Sequence, residues 1–485
     1  MTTTEAPAGR REWIGLAVLA SIALLLSIDV SVLYLALPHM SAELGATASQ
    51  QLWIVDIYSF LLAGFLVTMG TLGDRIGRRK LLLVGAAAFG VVSVVAAFSG
   101  SAEMLIVNRA LLGVAGATLM PSSMALIRNM FTDPKQMGAA IGVWFSAFMV
   151  GMALGPLVGG LLLEYFWWGS AFLLGVPFMV VVLVTGPLLL PEYRDTGAGR
   201  LDPFSVLLSL AAILPVVYGL KEIARNGLDP VNIASVLIGV VVGVIFVQRQ
   251  RRLPSPLLDM RLFGNRTFAA TLTILLLGGV VMAGTTLMAT MYLQSVVGLS
   301  PLAAGLWLLP QSLVMIVALS AGPMLAQRMS PTWVMAAGLV LGASGLVLHT
   351  QVPAVGGLPL LVAGLVLASA GIALPMTVGN GIIMTAAPPE KAGSAASLSE
   401  TSGEFGVAMG IAALGSLGAA VFRTQLPEGV RADTITSVVG PPEVMEAARA
   451  AFTSGLNVVA AVGALVFLSL AVVTALVLRR ATQPA

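Results

Sequence analysis

The chain has 485 residues, of which 58% are hydrophobic and 10% are charged, and its formal net charge is +3. A soluble protein of this length carries about 25% charged residues, so the composition excludes an ordinary water-soluble domain and fits a protein embedded in a bilayer. Cysteine is absent and only two histidines are present, which excludes disulfides and thiolate metal sites and argues against a histidine metal centre. Nucleic-acid binding has no support either, because no basic domain lies outside the apolar segments.

Apolar segments of about 20 residues, the length that crosses a bilayer as a helix, recur along the whole chain. The first segment follows Arg10 and Arg11 and is too long for the apolar part of a signal peptide, so we predict a retained helix. The sequence thus predicts an all-α integral membrane protein. Its fourteen predicted spans lie near residues 13–38, 51–69, 81–99, 104–127, 138–163, 169–190, 203–222, 231–248, 267–297, 302–324, 332–351, 358–386, 396–423 and 454–478.

The basic residues predict the orientation of these spans. With the N-terminus inside, 19 of the 25 Lys and Arg residues fall in segments predicted to be cytoplasmic, 5 fall in outer segments, and Arg109 lies within a span. Because Lys and Arg are enriched in cytoplasmic loops, we predict that both termini are cytoplasmic. The longest polar segment, about 424–453, is then outside, and its stretch PPEVMEAARAAF (Pro441–Phe452) is predicted to form a short interfacial helix.

The segment GTLGDRIGRRK (70–80), between the second and third spans, carries five charges in eleven residues. Its cations alone would suit any cytoplasmic loop. Its glycines also permit a tight turn and close helix approach, and Asp74 is expected to sit at a helix N-terminus and to pair with an arginine. We interpret the segment as a charged latch that holds one conformation closed. The latch residues are Gly70, Gly73, Asp74, Arg75, Gly77, Arg78 and Arg79.

This segment resembles the motif between the second and third helices of the major facilitator superfamily. Further stretches resemble, in the same order, motifs of its fourteen-span drug:proton antiporters. These stretches are LSIDVSVLYLALP (Leu26–Pro38), LWIVDIYSFLLAG (Leu52–Gly64), NRALLGVAGATLMP (Asn108–Pro121), GMALGPLVGG (Gly151–Gly160) and SLSETSGEFG (Ser397–Gly406). The resemblance covers nearly the whole chain, and it is closest to actinobacterial and staphylococcal pumps that export dyes, quaternary ammonium antiseptics and fluoroquinolones.

The resemblance implies two six-helix bundles, at 1–190 and 267–485, with two extra central helices and their loops at 191–266. It also implies a monomer whose two halves rock around a site near the middle of the membrane. A faint repeat supports the two halves, because LAQRM (Leu325–Met329) stands where LGDRI (Leu72–Ile76) would recur. Gln327 replaces the aspartate there and the basic tail is missing, so any latch in the second half is expected to be weaker.

Ionisable residues within spans are rare and costly, so each is a candidate functional residue. Asp29 is a candidate proton carrier and a candidate partner for a cationic substrate. A proton and a cation cannot both neutralise one carboxylate, so their competition would couple the two movements. Asp56, Glu404 and, nearer the cytoplasm, Glu400 are candidates for the same roles. Arg109 is a candidate for tuning the proton release of a nearby carboxylate.

Four of these residues also have a structural alternative. For Asp29 it is a salt bridge to Arg109, and for Arg109 it is bonding to backbone carbonyls. Asp56 would instead be a helix-end residue wetted at the outer interface, and Glu400 a capping or interfacial residue.

Small residues and aromatic residues complete the candidate site. In the fifth span, Gly151, Gly155, Gly159 and Gly160 permit close helix contact, and Pro156 can kink the helix. This span is therefore predicted to flex or to seal against a neighbour, with simple packing as the alternative. Quaternary ammonium groups are attracted to aromatic faces, and the candidate cavity aromatics are Tyr34, Trp53, Tyr58 and Phe148.

The expected function is a proton-driven exporter of lipophilic cations in the bacterial cell membrane, with no cofactor and no nucleic-acid partner. No G-x-x-x-x-G-K-[ST] loop exists, so a nucleotide-driven pump is not expected. A dedicated exporter of one metabolite or antibiotic on the same fold is the first alternative. A receptor or scaffold without turnover is the second. A membrane enzyme is a third, but the sequence shows no nucleophile–base pair or metal cluster.

Overall fold

The computed structural model describes residues 8–192, 194, 202–226, 229–253, 256, 260–386, 392–427, 430 and 432–478. Within these residues the chain forms fifteen α-helices and no strand. The helices are α1 (Arg10–Leu44), α2 (Ala48–Ile76), α3 (Arg78–Ala97), α4 (Ala102–Met130), α5 (Pro134–Tyr165), α6 (Ser170–Leu173), α7 (Gly175–Leu189), α8 (Pro203–Asn226), α9 (Pro230–Arg252), α10 (Arg266–Met291), α11 (Pro301–Arg328), α12 (Pro331–His349), α13 (Leu358–Ala386), α14 (Ala392–Thr424) and α15 (Pro442–Val473). Five basic residues used to predict the orientation lie outside the described residues, namely Arg200, Lys391, Arg431, Arg479 and Arg480.

Each predicted apolar segment coincides with a helix or a pair of helices. The sixth segment is a pair, α6 and α7, which separate at Leu174. The separate interfacial helix predicted for Pro441–Phe452 is wrong, because α15 runs without a break from Pro442 to Val473. The stretch is rich in Ala, Glu and Met, which are strong helix formers, and it continues directly into the apolar part of α15.

Helix length and hydropathy do not settle the number of spans. Among the described residues, twelve helices are long and apolar enough to cross a membrane. A thirteenth is added if the two parts of α2, Ala48–Leu66 and Thr68–Ile76, which meet at an angle of 50°, form one span. The apolar part of α8, Pro203–Gly219, is shorter than these helices. Fourteen spans and cytoplasmic termini therefore stay predictions.

Local sequence signals explain where several helices begin and end. The Asp133 side chain accepts a hydrogen bond from the Gln136 amide at the start of α5, and Ser300 does the same for Ala303 at the start of α11. In both helices proline occupies the first position, where its missing N–H costs nothing. Gly45 ends α1 with a φ of 62°, a left-handed conformation that glycine adopts without a steric penalty.

The helices pack in two groups that are joined by a few pairs. In the first group α1 packs on α5, and α4 packs on α2 and α3. In the second group α10 packs on α14, and α13 packs on α11 and α12. The groups meet where α5 contacts α11 and where α2 contacts α14. The central helices α8 and α9 pack on each other, and α8 also rests against both α2 and α14.

The two ends of this bundle differ in how closely the groups approach. We call the end where α1 finishes and α2 begins the far end, and the opposite one the near end. At the far end, a Cβ added at Gly160 of α5 would lie 2.6 Å from the Cα of Leu302 in α11, and one added at Gly415 of α14 would lie 2.6 Å from Leu52 of α2. Towards the near end, a Cβ at Gly142 of α5 or Gly403 of α14 would meet nothing within 4 Å. The groups are therefore in close contact at the far end, whereas these two positions towards the near end have no neighbouring atom within 4 Å.

An ion pair joins α8 and α9 where α8 begins and α9 ends. Arg249 Nη2 donates to both carboxylate oxygens of Asp202, at 3.1 and 3.0 Å, and Gln250 donates to Ser205 at 2.8 Å. Partial burial acts to raise the pKa of Asp202, but hydrogen bonds from Ser205 and Arg249 outweigh it and hold the pKa below its ordinary value. The central helices are thus held together by charge as well as by apolar contact.

Candidate functional site

Asp29 of α1 and Arg109 of α4 form a buried ion pair. Arg109 Nη1 lies 3.3 Å from Asp29 Oδ2, and the two side chains are 1% and 8% exposed. Arg109 Nε also donates to the carbonyl oxygen of Ile54 in α2 at 3.1 Å, and the guanidinium lies 4.5 Å from the centre of the Tyr58 ring. The Arg109 guanidinium therefore joins α1, α2 and α4. It makes both contacts that the sequence offered as structural alternatives, the salt bridge to Asp29 and the bond to a backbone carbonyl.

Asp56 is fully buried in α2, with an exposed fraction of 0%. The alternative of a helix-end residue wetted at an interface is wrong, because α2 begins at Ala48, two turns before Asp56. The Asp56 carboxylate is close enough to the Tyr34 hydroxyl of α1 for an electrostatic interaction.

Glu404 and Glu400 stand one turn apart on α14, and both side chains are half-buried. Glu404 interacts with the Ser59 hydroxyl of α2, which can donate a hydrogen bond to its carboxylate. Glu400 interacts with the Glu404 carboxylate itself. A capping role for Glu400 is excluded, because α14 begins at Ala392 and Glu400 lies two turns inside it.

These groups form one electrostatic cluster around two tyrosines. Tyr34 interacts with Glu404, Arg109 and Asp56, and Tyr58 interacts with Asp29, Glu404 and Arg109. In the part of the chain that the structure describes, this cluster sets four carboxyl groups against one guanidinium. The arrangement suits bound protons or cations, since it carries surplus negative charge when the carboxyl groups are ionised.

The four candidate aromatics have different surroundings. Tyr34 and Tyr58 belong to the cluster just described. Trp53 packs into a small apolar group with Phe60 of α2, Leu214 of α8 and Phe405 of α14. Phe148 stacks on Trp144 within α5, with ring centres 6.3 Å apart and planes 13° apart. The structure therefore brings two of these residues, Tyr34 and Tyr58, to the carboxylates.

The glycines of α5 face two different helices. One side of the motif faces α1: a Cβ at Gly151 would lie 2.5 Å from the Leu24 carbonyl oxygen, and one at Gly159 would lie 3.1 Å from the Val32 Cα. Gly155 likewise faces Ser31 of α1.

Another side of the same motif faces α11. Gly160 abuts Leu302, and the carbonyl oxygen of Pro156 abuts Gly305. The motif therefore packs α5 within the first group and also against the second group. Flexing of α5 stays a prediction.

The predicted latch is compact, but it differs from the prediction in one respect. Asp74 does not sit at a helix N-terminus, because α2 continues to Ile76 and the chain turns only at Gly77, with a φ of 113°. Asp74 pairs across this turn with Arg78, the first residue of α3, at 2.5 Å from Nη2. A Cβ at Gly73 would lie 2.9 Å from the Arg78 side chain, so a glycine is needed there for the pair to close.

Arg79, which follows the turn, binds the segment after α7. The Arg79 amide donates to Glu192 Oε1 at 3.2 Å, and Arg79 Nη1 donates to the Leu190 carbonyl oxygen at 3.0 Å. The side chain of Arg75 is exposed, and a Cβ at Gly70 would meet nothing within 4 Å. The seven latch residues therefore divide into a fixed pair, an anchored arginine, two glycines at the turn and two positions that face open space or solvent.

Sequence reasoning missed Ser59, Glu192 and Gln294. Ser59 and Gln294 are single polar residues in apolar spans, and that signal was available for both. The partners are distant in the chain, however: Ser59 meets Glu404, and Gln294 meets the Leu35 carbonyl. No spacing within a single segment indicates either contact.

Comparison with known proteins identifies the family. The profile of the Major Facilitator Superfamily matches residues 19–411. The chain belongs to this superfamily. The multidrug efflux pump LfrA of Mycolicibacterium smegmatis is 41% identical over 99% of this chain and 98% of its own length. The methyl viologen resistance protein SmvA of Salmonella typhimurium is 36% identical over 88% of this chain and 86% of its own length.

A solved structure shows the same superfamily fold. It is a bacterial homolog of the human lysosomal transporter Spinster, which matches with a TM-score of 0.71 at 16% identity over 99% of this chain and 100% of that one. This superfamily member is thus a multi-pass protein of the plasma membrane and a transporter rather than an enzyme.

Proposed function

We propose that this transporter is a proton-coupled antiporter that exports lipophilic cations by alternating access. The observation that carries the proposal is the cluster of Asp29, Asp56, Glu400 and Glu404 around a single guanidinium, built from helices of both groups. The names of its relatives, a multidrug efflux pump and a methyl viologen resistance protein, support drug efflux as the outcome.

The proposed orientation places the near end in the cytoplasm. In this orientation the described conformation closes the path to the outside, because α5–α11 and α2–α14 are in contact at the far end. A cation binds from the cytoplasm against the tyrosine faces and the carboxylates of the cluster. The far end then opens, protons from outside neutralise the carboxylates, and the cation leaves.

The carboxylates have different parts in this scheme. Arg109 already balances the charge of Asp29, so Asp29 chiefly fixes the position of the cation-binding groups. Glu404 has a neutral hydroxyl and a second carboxylate as partners, so it exchanges a proton for a cation most readily. Asp56, fully buried in the neighbouring helix, is the second candidate for exchange.

The proposal includes the organisation expected from the sequence. We propose fourteen spans with both termini in the cytoplasm, bundles at 1–190 and 267–485, and the central pair within 191–266. The transporter acts as a monomer and needs no cofactor beyond the proton gradient. In this arrangement α8 covers the contact between α2 and α14, which carry Asp56 and Glu404.

Everted vesicles acidified inside by respiration test the function. Ethidium or tetraphenylphosphonium is added, and the pH inside the vesicles is followed by the quenching of a pH-sensitive fluorescent dye. We expect cation-triggered alkalinisation with the unaltered transporter and none with Glu404→Gln. The size of the response with Asp29→Asn and with Asp56→Asn shows how much each of those carboxylates contributes to coupling. Arg249→Gln, which removes a charge from the central pair far along the chain from the cluster, is the matched control and should respond like the unaltered protein.

If no cation triggers alkalinisation although folded protein is present in the vesicles, the multidrug proposal is contradicted. The alternative of a dedicated exporter for one metabolite or antibiotic predicts that result. The same vesicles would then be screened with neutral and anionic compounds, and a single responsive compound would establish the alternative. A receptor or scaffold would give no response to any compound.

A further inference from the structure

Gln294 is a polar side chain buried between the two groups of helices at the far end. It lies in a π-helical turn, Tyr292–Val296, that extends α10, and its side chain is 9% exposed. Such turns interrupt regular helices and often occur at functional positions. A hydrogen bond from the Tyr292 hydroxyl to the Pro353 carbonyl oxygen, at 2.6 Å, holds this turn to the second group.

From this turn Gln294 reaches the first group. Its Nε2 donates to the carbonyl oxygen of Leu35 in α1 at 3.0 Å. Pro38, one turn further along α1, lacks an amide N–H and so removes one helical hydrogen bond from this stretch. The bond therefore joins a side chain fixed in one group to the backbone of the other, at the end where the groups are in contact.

The amide of Gln294 is only half satisfied in this position. Its oxygen, Oε1, is buried and has no hydrogen-bond partner, and a buried acceptor without a donor opposes burial. The Nε2–Leu35 bond favours contact between the groups, whereas the unpaired Oε1 favours separation and hydration. The two effects oppose each other at the far-end contact, which suits a gate that must open.

We propose that Gln294 is a positioning residue that holds the far end closed through its bond to Leu35 and so sets the balance between the two conformations. The inference rests on the proposed alternating-access cycle. Its test uses neither substrate nor proton gradient, so failure of the antiport proposal and failure of this one are separate results.

The absence of cysteine makes the test direct. Single cysteines are introduced by Ala419→Cys, in the far-end cavity lined also by Leu52, and by Gly403→Cys, which faces open space towards the near end. Each is labelled with a membrane-impermeant maleimide, in right-side-out vesicles for the far end and in everted vesicles for the near end. The two labelling rates report the opening of the two ends.

Gln294→Glu keeps the size of the side chain and, in its ionised form, replaces the donor with an acceptor that faces the Leu35 carbonyl. We expect far-end labelling to rise about fivefold, as for loss of one neutral hydrogen bond, and near-end labelling to fall. Gln294→Asn withdraws the amide from Leu35 and should act in the same direction. If Gln294→Glu does not fold, the labelling rates of Gln294→Asn test the proposal by themselves.

Gln51→Glu is the matched control. Gln51 is also a far-end glutamine, 3% exposed, and its Nε2 donates to the Ala46 carbonyl oxygen at 3.2 Å, but that bond stays within the α1–α2 connection. It should cause no reciprocal change in labelling. The proposal is overturned if both Gln294 variants leave the two rates unchanged, or if both rates rise together, which indicates general loosening rather than a shift between conformations.

Discussion

Asp29 in the first group of helices and Glu404 in the second belong to the same cluster but have opposite kinds of partner. Asp29 in α1 faces the Arg109 guanidinium at 3.3 Å. Glu404 in α14 faces the Ser59 hydroxyl, and its other partner is the carboxylate of Glu400. One acid has its charge balanced by a permanent cation, and the other has no such balance from these partners.

This difference is the basis of the proposed division between a structural acid and an exchangeable one. A fixed cation favours the charged form of a buried carboxylate beside it, and removing either partner leaves an uncompensated charge. Two neighbouring carboxyl groups repel when both are ionised, so a proton or an external cation is favoured between them. The proposed function thus assigns the fixed ion pair to one group and the main exchange site to the other, and the variants below test that division.

Arg109→Met should have the largest effect, because it leaves Asp29 buried without a counter-ion. Breaking one side of a buried pair costs about 3–5 kcal/mol. We expect a large drop in the melting temperature of the purified transporter and little protein in the membrane. Asp29→Leu combined with Arg109→Met should recover much of the stability without recovering transport. A melting temperature for Arg109→Met equal to that of the unaltered protein would contradict the structural role of the pair.

Glu404→Gln should abolish coupling while leaving the fold intact, since the substitution keeps the shape and the Ser59 contact. Loss of a charged partner corresponds to about 1.5–3 kcal/mol, or a decrease in cation efflux of about 10- to 100-fold. Efflux from loaded cells and the melting temperature would be measured together. Retained efflux with a lowered melting temperature would reverse the roles assigned to Glu404 and Asp29.

Glu400→Gln should reduce efflux less than Glu404→Gln, and its main effect should be on the pH profile. Coupled carboxyl groups release their protons in two steps that belong to the pair. Glu400→Gln removes one of the two titrating groups, so the pH dependence of cation binding should show one protonation step fewer. Binding of a fluorescent cation between about pH 5 and pH 9 would show this change, and an unchanged profile would argue that the two glutamates titrate independently.

Ser59→Ala should have a smaller effect, because it removes one hydroxyl from Glu404. A hydrogen bond to a charged group contributes about 1.5–3 kcal/mol, but water in the half-buried site replaces part of it. We expect a change of about three- to tenfold in cation affinity and no loss of folded protein. The substitution Ser59→Thr keeps the hydroxyl and should leave the affinity close to that of the unaltered protein.

Asp202→Asn should have the smallest effect and extends the comparison to an ion pair outside the membrane core. Partly exposed pairs contribute about 1 kcal/mol or less. Because the pKa of Asp202 lies below its ordinary value, its contribution is present above the ordinary aspartate pKa and is lost as the pH falls through the lowered value. The melting temperatures of the variant and the unaltered protein should therefore differ at about pH 7 and converge in strong acid.

Much of this architecture follows from local sequence. Runs of apolar residues fix the helices because only a helix satisfies its backbone within a bilayer, and the isolated charges Asp29, Asp56, Arg109 and Glu404 stand out for the same reason. Pro134 and Pro301 mark helix starts that the structure contains. The glycines of α5 indicate close packing, although they do not show which helices are packed.

Contacts between distant parts of the chain could not be predicted from local sequence. The position of Asp74 was predicted wrongly, since α2 extends to Ile76 and the charge pair forms across Gly77. Ser59, Glu192 and Gln294 acquire partners only through folding, at separations that no periodic pattern encodes.

The sequence by itself determined a helical membrane protein and the identity of its buried charges, because both depend on composition and spacing along one segment. Its motifs, taken in order, carried the resemblance to this superfamily. Only the tertiary structure decided which acid is paired with a cation, which end of the bundle is closed, and which side chain spans the closure. Those features depend on how the helices of the two groups meet, and the free energy of such contacts depends on three-dimensional distance rather than on position in the chain.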